Sequence, residues 1–399
     1  MRRTVIASAI VLSTLIFSLS QTRTALGAKP FNGREIFRFD TFRDEQLWTN
    51  TLRLHEAIST VSPATALAVG LKVDSDALPR PVIRALASGR LDVNDPAVTL
   101  RLLDLNAVVG VKGRVADGHL KSIGVTCALC HSTVDNSLAP GIGRRLDGWP
   151  NRDLNVGAIV ALSPVLDDSL KAVFRSWGPG KYDARHHIFD GTSISIINTP
   201  SIPTVIPPAF GLKGVGFETF TGDGPISYWN NYVGVTQMGG HGSFSDPRIG
   251  VTVTQKPDVV TPILPALLAY QLSLRTPPPP PRSFDQAAAA RGEALFNGVA
   301  KCGSCHIPPT YTDVKSGPDP RVPFLHAPAE IGADPLYAAR SATKMYRTTP
   351  LRALWQHPPY FHDGSAADLL AVVNHYDGIL SLGLTDTQKA DLVEFLKSL

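Results

Sequence analysis

The chain has 399 residues, of which 43% are hydrophobic and 18% charged, with a formal net charge of +4. That much apolar material excludes a disordered chain and fits two or three packed domains. The 33 Gly and 33 Pro exclude a simple long-helix bundle, four cysteines are too few for a disulfide scaffold, and the absence of a dense Lys/Arg run leaves nucleic-acid binding without support.

In chain order, the first predicted element is an export signal over 1–28. Arg2 and Arg3 precede the uncharged, mostly apolar run Thr4–Ser20, and Ala25-Leu26-Gly27-Ala28 supplies small residues for cleavage. The run is short for a membrane span of about 20 residues. Cleavage removes Arg2, Arg3 and Arg23 and no acid, so the charge falls from +4 to +1. The expectation is a periplasmic or secreted protein with no transmembrane segment after signal removal.

Residues 29–276 read as a loop-rich first domain. Val98, Leu102, Leu105 and Val109 have helical spacing over 96–109. The runs 109–115 and 119–126 flank Ala116-Asp117-Gly118, and Asp-Gly between two partly alternating runs predicts a hairpin. Residues 178–260 are rich in turn signals, and the Gly-rich stretch 211–216 has no phosphate-cradling pattern. Five consecutive prolines in TPPPPPR, at 276–282, predict a stiff spacer and a linker over 277–283. The second domain, 284–399, opens on the alanine-rich helix 284–298. It closes on a helix at 385–399 with Thr385 as N-cap and Leu392, Val393 and Leu396 as its apolar stripe. In the close approach of these two helices, Ala290, Ala294 and Gly298 would permit contact and Phe296 and Phe395 would fill it. The fold class expected is mainly α with extensive loops and minor β, in two domains.

All four cysteines fall in two C-x-x-C-H motifs, Cys127-Ala-Leu-Cys130-His131 and Cys302-Gly-Ser-Cys305-His306. This is the c-type haem attachment sequence. Two thiols add to two vinyl groups on one porphyrin edge, and the adjacent histidine turns under the ring to ligate iron. A redox dithiol or half a zinc site needs no histidine directly after the second cysteine. Two covalently bound haem c groups follow, with no cysteine left over.

Residues 346–364, YRTTPLRALWQHPPYFHDG, precede SAADLLAVVNHYDG. Together with the second motif this region, about 284 to the end, resembles the C-terminal haem domain of the bacterial diheme cytochrome c peroxidase superfamily. Such domains carry F-K-T-P-x-L-R, then P-Y-x-H-D-G, then a helix. Tyr346–Arg352 fits with the proline shifted by one, and Pro359–Gly364 fits fully. The upstream half shares a C-x-x-C-H and a Gly/Asn-rich segment, 141–155, but lacks the family's acidic and glutamine signature around the first haem. The superfamily also includes a quinone-cofactor-maturing diheme enzyme and diheme rubber oxygenases.

The resemblance implies a distal ligand for the second haem on the helix after P-Y-x-H-D-G, twelve residues past Gly364, at Tyr376. His375 and Met345 stay open as alternatives, and His362 is expected to order the turn. Ser365 with Asp368 predicts the start of that helix. For the first haem the distal side is open among His186, His187, Met238 and His241, with Trp177, Trp229 and Glu218 as pocket or electron-bridging candidates. The catalytic candidates are Trp177, Glu218 and His241. A Ca2+ ion on backbone oxygens at Thr348–Pro350 is a further implication.

Three functions follow as expectations. The first is an exported peroxidase-like oxidoreductase, in which one haem activates peroxide or O2 and the other relays electrons. Its donor would be a small redox protein or a quinol-linked source. The second is a diheme electron-transfer cytochrome without catalysis, and the third an oxygenase like the rubber-cleaving relatives.

Overall fold

The computed structural model describes residues 31–197 and 200–399; the export signal expected at 1–28 lies outside them. Helix makes up 38% and strand 13%, and the strands form only two-stranded ladders. The molecule is therefore mixed, with helices and long irregular connections carrying the cores. No described helix is long and apolar enough to cross a membrane.

Helix α1, Gly33–Phe39, starts where the Asn32 side chain accepts from the amides of Arg34 and Glu35. Helix α2, Pro96–Asp104, is capped by Asp95 and has proline in its first turn, where no amide partner is needed. It ends before Leu105 and Val109, so the helical spacing read at 96–109 runs past the real helix. Strands β1, Val111–Ala116, and β2, His119–Val125, form the expected antiparallel hairpin. Asp117 and Gly118 both have positive φ, 52° and 72°, which is the primed-turn geometry that Asp-Gly favours. The hairpin leads straight into a helical turn, α3, Ala128–His131, which carries the first C-x-x-C-H. Strands β3, Ser132–Val134, and β4, Arg145–Asp147, then pair and bring the chain back beside that motif.

Helix α4, Leu264–Ser273, packs on α1, and the segment after it has no regular element and turns at 281–284 before Asp285 caps helix α5, Gln286–Asn297. Helix α6, Leu369–Leu380, is capped by Asp368, whose side chain accepts from Ala371 N; Ser365 is not its cap. Helix α7, Asp386–Ser398, has a full capping box between Thr385 and Gln388. Helices α5 and α7 pack against each other as expected, with Phe296 and Phe395 rings 5.1 Å apart. The close approach is made by different residues, however. Ala290, Ala294 and Gly298 are exposed, while Ala288, Ala289 and Gly292 are buried. A Cβ on Gly292 would stand 2.1 Å from Asp391 O, so only glycine fits.

Two hydrophobic cores result. One runs from Ile36 to Leu267 and includes Trp48, Phe174, Trp177 and Tyr232. The other gathers Phe296, Leu354, Leu369, Val373, Leu392 and Phe395. A small aromatic cluster, Tyr337 and Tyr346 with Phe220 and Ile202 against it, joins upstream and downstream segments. A buried ion pair does the same, Arg340 meeting Asp183 at 3.1 Å, and Arg185 donates to Arg340 O at 3.1 Å.

Candidate functional site

The first motif is held by backbone geometry. Thr126 N donates to Gly110 O at 2.9 Å, and a Cβ on Gly110 would meet Leu129 N at 2.0 Å, so this approach needs glycine. His131 Nδ1 lies 3.1 Å from Pro207 O, which directs Nε2 away from that carbonyl. Burial holds the imidazole down to about 4, hence neutral at pH 7, as an iron ligand must be. Burial also pushes the Cys127 and Cys130 thiols up to about 12.

The second motif repeats the arrangement. His306 N donates to Cys302 O at 2.9 Å, and its Nδ1 lies 3.0 Å from Tyr311 O. Burial lowers its pKa and raises that of Cys302 to about 11. Cys302, Cys305 and His306 open onto a cavity of about 620 Å³ whose apolar walls include Phe296, Leu351, Val372, Val373 and Leu392. A cavity of this size and character is what a mostly apolar cofactor requires.

Tyr376 and His375 both line this cavity. Burial pushes the Tyr376 phenol up to about 12, with the two cysteines of the motif close enough to add to the effect. His375 instead points Nε2 at Ile331 O, 2.9 Å away. Met345 is not among the residues lining the cavity. His362 sits in the aromatic cluster, Nε2 3.1 Å from Tyr346 OH, and its own carbonyl accepts from Val205 N.

Glu218 lines the same cavity, on the second motif's side, with its carboxylate taken by the amides of Gly216 at 2.9 Å and Ile226 at 2.7 Å. Trp177 is buried in the first core, its Nε1 donating to Ser201 Oγ at 2.9 Å, with Phe174, Tyr182 and His186 rings around it. Trp229 packs on Tyr232 beneath the Arg185 guanidinium. His241 faces Gln46, 3.5 Å away, and Met238 is a core residue. His187 is buried, its Nδ1 without a protein partner and its imidazole held down to about 4 by burial. At the expected calcium segment, Thr348 O accepts from Thr312 Oγ1 at 2.6 Å and from the Arg347 guanidinium at 3.2 Å, a cation already standing on that carbonyl.

Several residues were not singled out from sequence. Tyr182 lies close to Cys130 and donates to Gln237 Oε1 at 3.1 Å, while Gln237 Nε2 donates to His187 O. The segment 148–152 is tied to the first motif: Gly148 N donates to His131 O at 2.8 Å and Asn151 N to Cys130 O at 2.9 Å. From there Trp149 packs edge-on against Trp355, centroids 5.8 Å apart, and Arg152 donates to His357 O at 3.0 Å. Residues 148–152 fall in the Gly/Asn-rich segment 141–155, but no local pattern names these contacts, because their partners lie up to 206 positions away.

No family model matches the chain. The chain is 35% identical over 134 residues to methylamine utilization protein MauG of Methylorubrum extorquens; the match takes in 28% of this chain and 35% of that relative's length. Among solved structures, hydrazine synthase of Kuenenia stuttgartiensis shares 25% identity with a TM-score of 0.25, over 37% of this chain and 57% of that one. A MauG-like protein associated with microbial copper homeostasis shares 23% with a TM-score of 0.28, over 37% and 62%. Superpositions at these scores do not bear on the fold. With the resemblance of the second motif and its P-Y-x-H-D-G turn, the sequence match relates this chain to the bacterial diheme cytochrome c peroxidase superfamily, at modest identity.

Proposed function

We propose that the protein is an exported diheme c-type oxidoreductase of the peroxidase-like kind, with an active haem on Cys127–His131 and a relay haem on Cys302–His306. Haem supplies reversible one-electron chemistry and, where an axial position is open, activation of peroxide or O2. The observation that carries the reading is the matched support of the two histidines: each has Nδ1 on a backbone carbonyl, 3.1 Å and 3.0 Å, leaving Nε2 to ligate. A carbonyl on the far nitrogen fixes the tautomer and raises ligand basicity.

Around the relay haem, Tyr376 is the distal ligand of choice, on the position the resemblance gives that ligand and on its place in the cavity wall; His375, with Nε2 on Ile331 O, keeps Nδ1 as the alternative. Burial holds the phenol protonated, and a metal cation in the cavity would favour its phenolate. Beside the active haem, Tyr182 and Gln237 make a polar wall, bonded to each other and to His187 O, and buried Trp177 packs on Tyr182.

The test is spectroscopic. Full-length protein exported with cofactor, as isolated and reduced, should show a carbon monoxide shift from one haem and turn over peroxide with a reduced dye. Two six-coordinate irons with no such shift, even after reductive activation, would establish the electron-carrier reading instead.

A further inference from the structure

We propose that Arg152 is the counter-ion of a propionate carboxylate on the haem carried by Cys302 and Cys305, so that the upstream half of the chain grips the downstream half's cofactor. The inference rests on the haem reading of the second motif and adds a residue to it.

Arg152 lines the cavity onto which Cys302, Cys305 and His306 open. Its Nη2 donates to His357 O, but Nε and Nη1 are buried with no protein acceptor. Trp355 Nε1 and Gln356 Nε2, next to His357 in sequence, are also buried without an acceptor. Every one of these orphan atoms is a donor. A buried guanidinium with open donors and no carboxylate against it is strongly unfavourable unless an anion arrives.

The contrast with Arg347 is informative. That guanidinium lines the same cavity, yet gives Nε to Thr219 O, Nη1 to Thr348 O and Nη2 to Glu218 O. It needs no ligand. Nor do the carboxylates of the cavity wall serve Arg152: Glu218 is taken by two backbone amides, Glu330 faces His326, Asp334 accepts from Leu336 N and Asp363 from Ser365 N. Haem is an apolar plate with two carboxylates on one edge. The cavity's apolar walls suit the plate, and an arginine with two free nitrogens suits a carboxylate, which it can bind bidentately. Because Asn151 N bonds Cys130 O, this contact would also stand one residue from the first motif's backbone.

The experiment uses full-length, exported holoprotein carrying Arg152→Gln or Arg152→Lys, with the exposed Arg291→Gln as control. Peptide mass spectrometry counts haem on each motif, redox titration resolves the two potentials, and resonance Raman reads the propionate bending mode. In Arg152→Gln, both haems should be attached. The second haem's oxidised form should be favoured about tenfold more, a fall of about 59 mV for one electron, and its propionate mode should move. Arg152→Lys should keep most of the potential while the mode still moves, because the charge remains and the bidentate fork is lost. If the glutamine variant does not fold, the lysine variant alone decides by its mode. Attached haem with an unmoved propionate mode overturns the pairing. Absence of haem on Cys302 and Cys305 in the unmutated protein overturns the haem reading beneath it.

Discussion

Tyr376 and His375 are adjacent on α6, about 100° apart around the axis, yet their polar atoms do different things. His375 Nε2 has a carbonyl partner, and Tyr376 faces the motif's cysteines. Tyr376→Phe should therefore change the second haem's ligation signature in resonance Raman, while His375→Ala should leave it. The reverse pattern would move the ligand to His375. A second residue-scale prediction concerns His326. Its Nε2 lies 3.0 Å from Asp313 and its Nδ1 2.7 Å from Glu330, and these carboxylates raise its pKa from 6.5 to about 9. A histidine stabilised in its charged form contributes fully below pH 6.5 and loses that contribution as pH rises through 9. With Glu330 largely exposed, solvent screening limits the effect to on the order of 1–2 kcal/mol. Denaturant melts at pH 6 and pH 9.5 should show this loss in the unmutated protein and not in His326→Gln.

At the scale of elements, the α5–α7 contact turns on one glycine. Gly292→Ala drives a methyl into Asp391 O, and overpacking of this kind is worth roughly 1–3 kcal/mol of stability. Thermal unfolding should show it, whereas Ala290→Ser on the exposed face should be neutral. The Thr385 cap and the Asp-Gly hairpin were legible, because each depends on residues within four positions of one another. The identity of the packing face was not. An alanine-rich helix has small residues on every side, so composition alone could not say that Ala288, Ala289 and Gly292, rather than Ala290 and Ala294, turn inward. The cap of α6 failed differently: Ser365 and Asp368 both satisfy the pattern, and the chain's path through Ala366 selected the aspartate.

For the whole molecule, the seam between upstream and downstream segments is polar and buried. Asp183 accepts from Arg340, Ser201 and Ile202, and Arg340 also reaches Ile202 O. Asp183→Ala strands a buried guanidinium, so it should lower stability by about 3–5 kcal/mol. The double variant Asp183→Ala with Arg340→Met should recover part of that. Equal losses in single and double variants, measured by chemical denaturation, would show that the charge pair is not what holds the seam.

What the sequence determined by itself is local chemistry. Two C-x-x-C-H motifs carry the reading of attachment and proximal ligation because all the atoms it needs sit within five residues, and the P-Y-x-H-D-G turn carried the family resemblance. Tertiary structure alone decided which long-range groups meet them. Glu218, read as a first-site candidate, lies on the second cavity, and Arg152, invisible as an isolated arginine, stands there with two open donors. The physical reason is that cavities are built by chain segments far apart in sequence. Which polar atoms end up without partners in such a cavity is a property of the packed whole, and no spacing rule along the chain encodes it.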